Sequence, residues 1–192
     1  MMTVRYFFAL MDNVMSGHII LSHGSDSSPQ ATKVSALAQA AEALGWTTER
    51  PDYGDCDAHG LAGSVRPRVQ QLAGCMARAG TPPVLVGSSM GAFVSGLASM
   101  QLPCAGLFLL ALPTGIPGYG EAFDMAREVP SMLIHGYVDD VCPPEPVLEL
   151  ARGRGVPCLM LADGHRLADH VDKITDQFRL FLKQCSTEQR AA

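Results

Sequence analysis

The chain has 192 residues, a net charge of -5 with neutral histidines, 47% hydrophobic and 17% charged residues. That length suits one domain around one core, the apolar share argues against wholesale disorder, and an acidic balance with no block of Lys or Arg argues against nucleic acid as the main partner. No apolar run approaches the roughly 18–20 residues that cross a bilayer; the N-terminal one, Tyr6 to Met11, ends at Asp12 and Asn13.

Residues 1–16 begin like a secretory signal, with Arg5 before the apolar run, but no small-residue cleavage site follows. They read as an N-terminal extension, or as the product of an upstream start with Met11 or Met15 the true one. The domain proper is expected over 17–185, with 186–192 a tail. The cysteines, Cys56, Cys75, Cys104, Cys142, Cys158 and Cys185, form no CxxC pair and no zinc spacing, and read as reduced thiols of a cytoplasmic protein.

In chain order, GHIILS (17–22) predicts a buried strand and HGSDSS the loop after it. Pro29, with Ser28 as cap, predicts a helix through the Ala/Leu-rich stretch to Leu44, stopped by Gly45. Trp46 to Pro51 reads as a weaker strand, Asp52 to Gly60 as a loop, and Leu61 to Ala79 as a helix despite Pro67. PVLVG (83–87) is a third strand, Gly91 to Met100 a small-residue helix, and AGLFLLAL (105–112) a fourth strand leading into a Pro/Gly-rich connection. SMLIH (131–135) is a fifth strand, Pro144 to Arg152 a helix, VPCLML (156–161) a sixth strand, and Leu167 to Lys183 an amphipathic helix. Uninterrupted apolar strands alternating with helices are what a parallel sheet covered on both faces requires. The expected architecture is therefore a three-layer, doubly wound α/β fold on a mostly parallel sheet of about six strands.

In such sheets ligand-handling groups collect at the carboxyl ends of strands, and three polar residues stand there. Ser89 lies in Gly87-Ser88-Ser89-Met90-Gly91, a G-x-S-x-G between a strand and a helix. Flanking glycines permit the sharp turn that lifts a nucleophilic hydroxyl above the sheet, whereas Ser88 points elsewhere on this reading. Asp139 follows the fifth strand, where a carboxylate can hold an imidazole in one tautomer; Asp140 is its rival. His165, in Asp163-Gly164-His165-Arg166, follows the sixth strand and is the candidate proton carrier. His23-Gly24-Ser25 follows the first strand, so the backbone amides of Ser25 and Met90 are the candidate oxyanion donors, with His23 shaping the loop. The loop residues Asp52, Asp55, Asp57 and His59 match no EF-hand spacing and read as a solvated loop, so no metal is expected. Gly115 to Gly120 opens no phosphate-binding helix, and nothing in the chain calls for a cofactor.

The set LVGSSMG, LFLLALP, LIHGYVDDVCP and DGHRL, behind the HG loop, resembles the α/β-hydrolase superfamily, in particular the small, lidless bacterial esterases and thioesterases related to dienelactone hydrolase. The resemblance covers 17–183. It implies a serine hydrolase that cleaves an ester or thioester through an acyl-enzyme on Ser89. An acyltransferase or peptidase using the same residues, or a non-catalytic binding protein on this fold, is the alternative. Tyr119 and Phe123, after the fourth strand where related hydrolases build caps, are the candidate acyl-pocket residues. The implied partner is a small-molecule ester or thioester, with no nucleic acid and no membrane; a homodimer is left open. Two departures stand out: the short HG loop, HGSDSSP, lacks the extended glycine run of some lipases and esterases, and the usual leading antiparallel strands are missing.

Overall fold

The computed structural model describes residues 17–191, so the extension expected over 1–16 lies outside the described residues. The elements are β1 (His18–Ser22), α1 (Thr32–Glu42), β2 (Thr47–Glu49), α2 (Gly54–Asp57), α3 (Gly60–Arg78), β3 (Val84–Ser88) and α4 (Met90–Ser99). They continue with β4 (Gly106–Leu110), β5 (Ser131–Gly136), α5 (Pro144–Arg154), β6 (Cys158–Leu161), a 3-10 turn (Ala168–His170) and α6 (Val171–Ala191). The six strands form one sheet in the order β2-β1-β3-β4-β5-β6, and every pairing is parallel.

Alternation along each strand explains why the runs are apolar throughout. Ile19 and Leu21, Val84 and Val86, Phe108 and Leu110, and Ile134 face one layer, where α1 and α6 cover them with Leu37, Phe178 and Phe181. Ile20, Leu85, Leu107, Leu109 and Leu133 face the other, against Leu72 of α3, Phe93 of α4 and Val147 of α5. Successive side chains point to opposite faces, so a strand buried on both sides can hold no polar residue in its middle.

The boundaries differ from the predicted ones in places that have physical reasons. The first helix starts at Thr32, because Pro29 and Gln30 sit in a turn closed by Ala31 N–H donating to Ser28 O at 3.0 Å. Trp46 leaves its strand for the core: its ring occupies the space a Cβ on Gly17 would need, at 2.4 Å, and only Thr47–Glu49 pair with β1. The Asp52–Gly60 loop contains the single turn α2, and α6 runs beyond Lys183 to Ala191, so the boundary set at 185 is no break in secondary structure.

After β1 the chain builds β2 on one side, then crosses to β3 on the other. The carboxyl ends of β1 and β3 thus border the switch point of the sheet, where a crevice forms. The HG loop and Ser89 both open onto it.

Candidate active site

Ser89 sits between β3 and α4 with φ 54° and ψ -121°, a region L-residues rarely occupy. Two glycines make it possible. A Cβ on Gly87 would lie 2.4 Å from Gly91 O, and a Cβ on Gly91 would lie 2.1 Å from Ser22 O and 2.7 Å from His23 O. The elbow is also tied to the sheet, with Ser89 N–H donating to Leu110 O at 2.9 Å.

The loops after β5 and β6 bring Asp139 and His165 to this serine. Ser89 Oγ stands 2.9 Å from His165 Nε2, and His165 Nδ1 stands 3.0 and 2.9 Å from the two oxygens of Asp139. An ionised carboxylate only accepts, so Nδ1 carries the proton and the Nε2 lone pair faces the hydroxyl. Asp139 is buried, whereas Asp140 is exposed. Asp139 Oδ1 accepts the amides of Val141 (3.0 Å) and Cys142 (2.8 Å). Buried His135, at the end of β5, donates from Nε2 to Cys142 O at 2.7 Å and lies 3.2 Å from Asp139 Oδ2.

His165 stands on a loop bound by Asp163, which accepts the Gly164 amide (2.8 Å), the Asp169 amide (3.0 Å) and His170 Nδ1 (3.0 Å). Burial opposes ionisation of Asp163, but His170 and the two amides outweigh it and hold the carboxyl below its ordinary value. Lys33 of α1 donates to Arg166 O at 2.5 Å. Burial lowers its ammonium to about 8, against the attraction of Asp163 and Asp139.

A cleft of about 750 Å³ opens over Ser89 and His165, lined also by Gly24, Ser25, Ser88 and Val141. Ser25 and Gly24 are therefore at the site, and Ser88 belongs to its wall as well as to β3. Met90 opens α4, and amides of a first helical turn have no acceptor within their helix. The structure does not bring Tyr119 and Phe123 to the cleft. Both pack on Phe93 of α4, with ring centroids 5.9 and 5.4 Å away, and the Phe123 ring fills the space above Gly96. Glycine at 96 offers this ring a seat on the helix, which draws the connection between β4 and β5 to that side.

The polar loop after β2 is put to a different use from a metal site. Asp57 grips Arg68 of α3 through both oxygens (2.7 and 2.5 Å), Asp52 accepts the Gly54 amide, and His59 Nδ1 meets Cys56 O. Arg68 was not singled out by the sequence patterns, although a charged residue on the stripe Val65, Val69, Leu72, Met76 of α3 was the signal that could have found it. Donor atoms of Asp139, Cys142 and His165 lie within 4.8 Å of one another, close enough to converge on a soft cation, at the cost of removing the imidazole from Ser89. Cys56, Cys75, Cys104, Cys142 and Cys158 are free thiols.

A doubly wound parallel sheet with a strand-serine-helix elbow, and an acid and a histidine after its last two strands, defines the α/β-hydrolase class. The comparisons agree. The structure superposes on that of a Xanthomonas campestris pv. campestris protein assigned to the α/β-hydrolase superfamily, with TM-score 0.83 and 42% identity over 88% of this chain and 99% of that one. A serine hydrolase homologue from Coxiella burnetii (TM-score 0.68, 21% identity, 84% and 83% covered) and a lidless serine hydrolase from Xanthomonas campestris (0.69, 18%, 90% and 84%) share the fold. No protein-family model and no curated protein matches the chain. The chain belongs to the α/β-hydrolase superfamily.

Proposed function

We propose that the protein is a serine hydrolase that cleaves carboxylic esters or thioesters through an acyl-enzyme on Ser89. The observation that carries this reading is the unbroken line Ser89 Oγ, His165, Asp139, with contacts of 2.9 Å on either side of the ring. His165 Nε2 takes the hydroxyl proton as Oγ attacks the acyl carbon, and Asp139 balances the imidazolium that results. The amides of Ser25 and Met90 receive the oxyanion. Collapse of the tetrahedral adduct expels the alcohol or thiol, which leaves with the proton from Nε2; water then repeats the cycle and frees the acid. A binding protein on this fold has no use for all three groups in register. An acyltransferase or peptidase would share the same first step and differ in the nucleophile or the leaving group.

The substrate is expected to be small. Residues 111–130, between β4 and β5, contain no helix, and none of them lines the cleft, so nothing there covers a long acyl chain. Short soluble esters or thioesters fit such an open site better than lipids. Among the described residues no helix is long and apolar enough to cross a membrane.

The test is labelling with a fluorophosphonate, which reacts only with an activated serine, followed by a chain-length series of p-nitrophenyl esters beside acyl-CoAs and aminoacyl amides. Wild type is expected to label and to prefer short acyl groups, with Ser89→Ala losing turnover by on the order of a million-fold and Ser88→Ala still reactive. An unlabelled wild type sinks the reading. Selectivity peaking at twelve carbons or beyond, with a rate jump at the micelle concentration, sinks its lidless part.

A further inference from the structure

Arg68 is fully buried on α3, and a buried charge needs partners for all its donors. Its partners are not evenly spread. Nε and Nη2 hold Asp57 (2.7 and 2.5 Å), while Nη1 donates to His23 O (2.9 Å) and Nη2 also to Gly24 O (3.1 Å). The guanidinium lies over the Tyr53 ring, 4.6 Å from its centroid. Gly24 O takes a second hydrogen bond from His23 Nδ1 (2.7 Å), and the other nitrogen of that ring accepts the Tyr53 amide (3.1 Å). Tyr53 closes the cluster through its hydroxyl, 2.9 Å from Ser22 Oγ. Burial lowers the pKa of His23, the Gly24 contact and Asp57 and Asp52 notwithstanding, so its ring stays neutral and serves as a fixed donor and acceptor.

The carbonyls of two successive loop residues are thus turned toward one cation. In a planar trans peptide the N–H points opposite the C=O. Gly24 O directed at Arg68 therefore sends the Ser25 N–H to the other side, the side of the cleft that Ser25 lines. We infer that Arg68 is a positioning residue for hydrolysis: clamped by Asp57, it fixes the Gly24–Ser25 peptide plane so that the Ser25 amide is aimed before substrate arrives. This rests on the serine-hydrolase reading above, and it adds to it the long-range support that the oxyanion donor needs. Preorganised donors stabilise an oxyanion without reorienting during the reaction; a loop free to rotate its peptide would lose that gain.

The test uses Arg68→Lys, which keeps the charge but loses the planar fork, with Asp57→Asn as the second variant. Acylation rates with p-nitrophenyl acetate, the pH profile and the inhibition constant of an arylboronate, which mimics the tetrahedral adduct, are measured well below each melting temperature. Arg68→Lys is expected to acylate about 10–100-fold more slowly, with KM within about threefold, an unmoved pH profile and boronate affinity weakened in parallel with the rate. Asp57→Asn is expected to show the same pattern at about 3–10-fold, and it decides the matter if Arg68→Lys does not fold. A purely structural arginine would lower the melting temperature and leave boronate affinity alone. A folded variant that acylates within twofold of wild type, or binds the boronate unchanged, overturns the inference alone; a wild type inert to fluorophosphonate overturns the hydrolase reading and this inference with it.

Discussion

The loops after β1 and after β5 both serve the cleft, yet they differ in how much of their hold is local, although the acid loop after β5 also ties to the next strand and loop through the Tyr137 and Val138 amides. The acid loop ties itself: Asp139 accepts the amides of Val141 and Cys142, two and three residues on, and His135 four residues back meets the same carboxylate. The HG loop has one tie of its own, His23 Nδ1 to Gly24 O, and is otherwise held from elsewhere, by Arg68 forty-four residues from Gly24, by the Tyr53 amide thirty residues from His23, and by the Gly91 backbone pressed against Ser22 and His23. A loop that ties itself keeps its shape wherever its strand ends. One held from outside depends on packing of α3, α2 and α4, so its geometry is a property of the whole fold.

The largest effect that tests this contrast lies in the acid loop. Asp139→Asn is expected to cut turnover by about ten-thousand-fold, because a neutral amide can present an N–H to the ring and select the wrong tautomer. Asparagine still accepts the Val141 and Cys142 amides through one oxygen, so the loop and the HG side should stay in place, visible as an unchanged near-ultraviolet spectrum. Asp140→Asn, on the exposed neighbour, should stay within about twofold of wild type. The reverse ranking would hand the acid role to Asp140, and a spectral change at Asp139→Asn would show that the acid loop too depends on distant contacts.

The same contrast explains what was legible in the sequence. Five apolar runs marked β1 and β3 to β6, most plainly where burial on both faces leaves no freedom in composition, whereas β2 (Thr47–Glu49) is a polar, part-exposed edge and read as the weaker strand. Ser89, Asp139 and His165 stood out because each lies within a residue or a few of a strand end, so a one-dimensional pattern locates them. The Arg68 cluster was hidden because its partners are spread over 22–68 and meet only after α3 docks; Asp57 looked like one of several solvated loop acids until its partner was in view. Tyr119 and Phe123 failed for the same reason: their distance from Ser89 in sequence says nothing of which side of α4 they pack against, and Phe93 with the open seat at Gly96 decides that.

An intermediate effect is expected from the contact between elbow and HG loop. A Cβ at Gly91 would meet only backbone, with Ser22 O at 2.1 Å and His23 O at 2.7 Å, so no flexible side chain can yield. Gly91→Ala should cost about 2–3 kcal/mol, lowering Tm by roughly 5–10 °C for a domain of this size, and activity should fall further than stability because the HG loop is what must move. Gly153→Ala is the control: nothing lies within 4 Å of its added Cβ in α5, so it should be neutral or stabilising by about 0.4–1 kcal/mol. A Gly91→Ala protein as stable and active as wild type would show that the HG loop is not held from this side.

The smallest effect concerns the loop after β6, which ties itself as the acid loop does, through Asp163 to Gly164, Asp169 and His170. The folded state holds the Asp163 carboxyl below its ordinary pKa, burial being outweighed by His170 and the two amides. Such a group contributes stability that is fully present above the unfolded pKa, near 3.9, and is lost as pH falls through the lower folded value. Asp163→Asn should therefore lower Tm at pH 7, by about 2–4 °C for a loss of roughly 1 kcal/mol, the modest figure reflecting a pair that water reaches through half-buried His170. At lower pH the wild type protonates the same carboxyl and the gap should close, with His170→Gln reproducing part of it in between. A gap that stays constant from pH 7 to pH 3 would mean that the asparagine disturbs the loop by its shape, and that charge at Asp163 does not hold His165 in place.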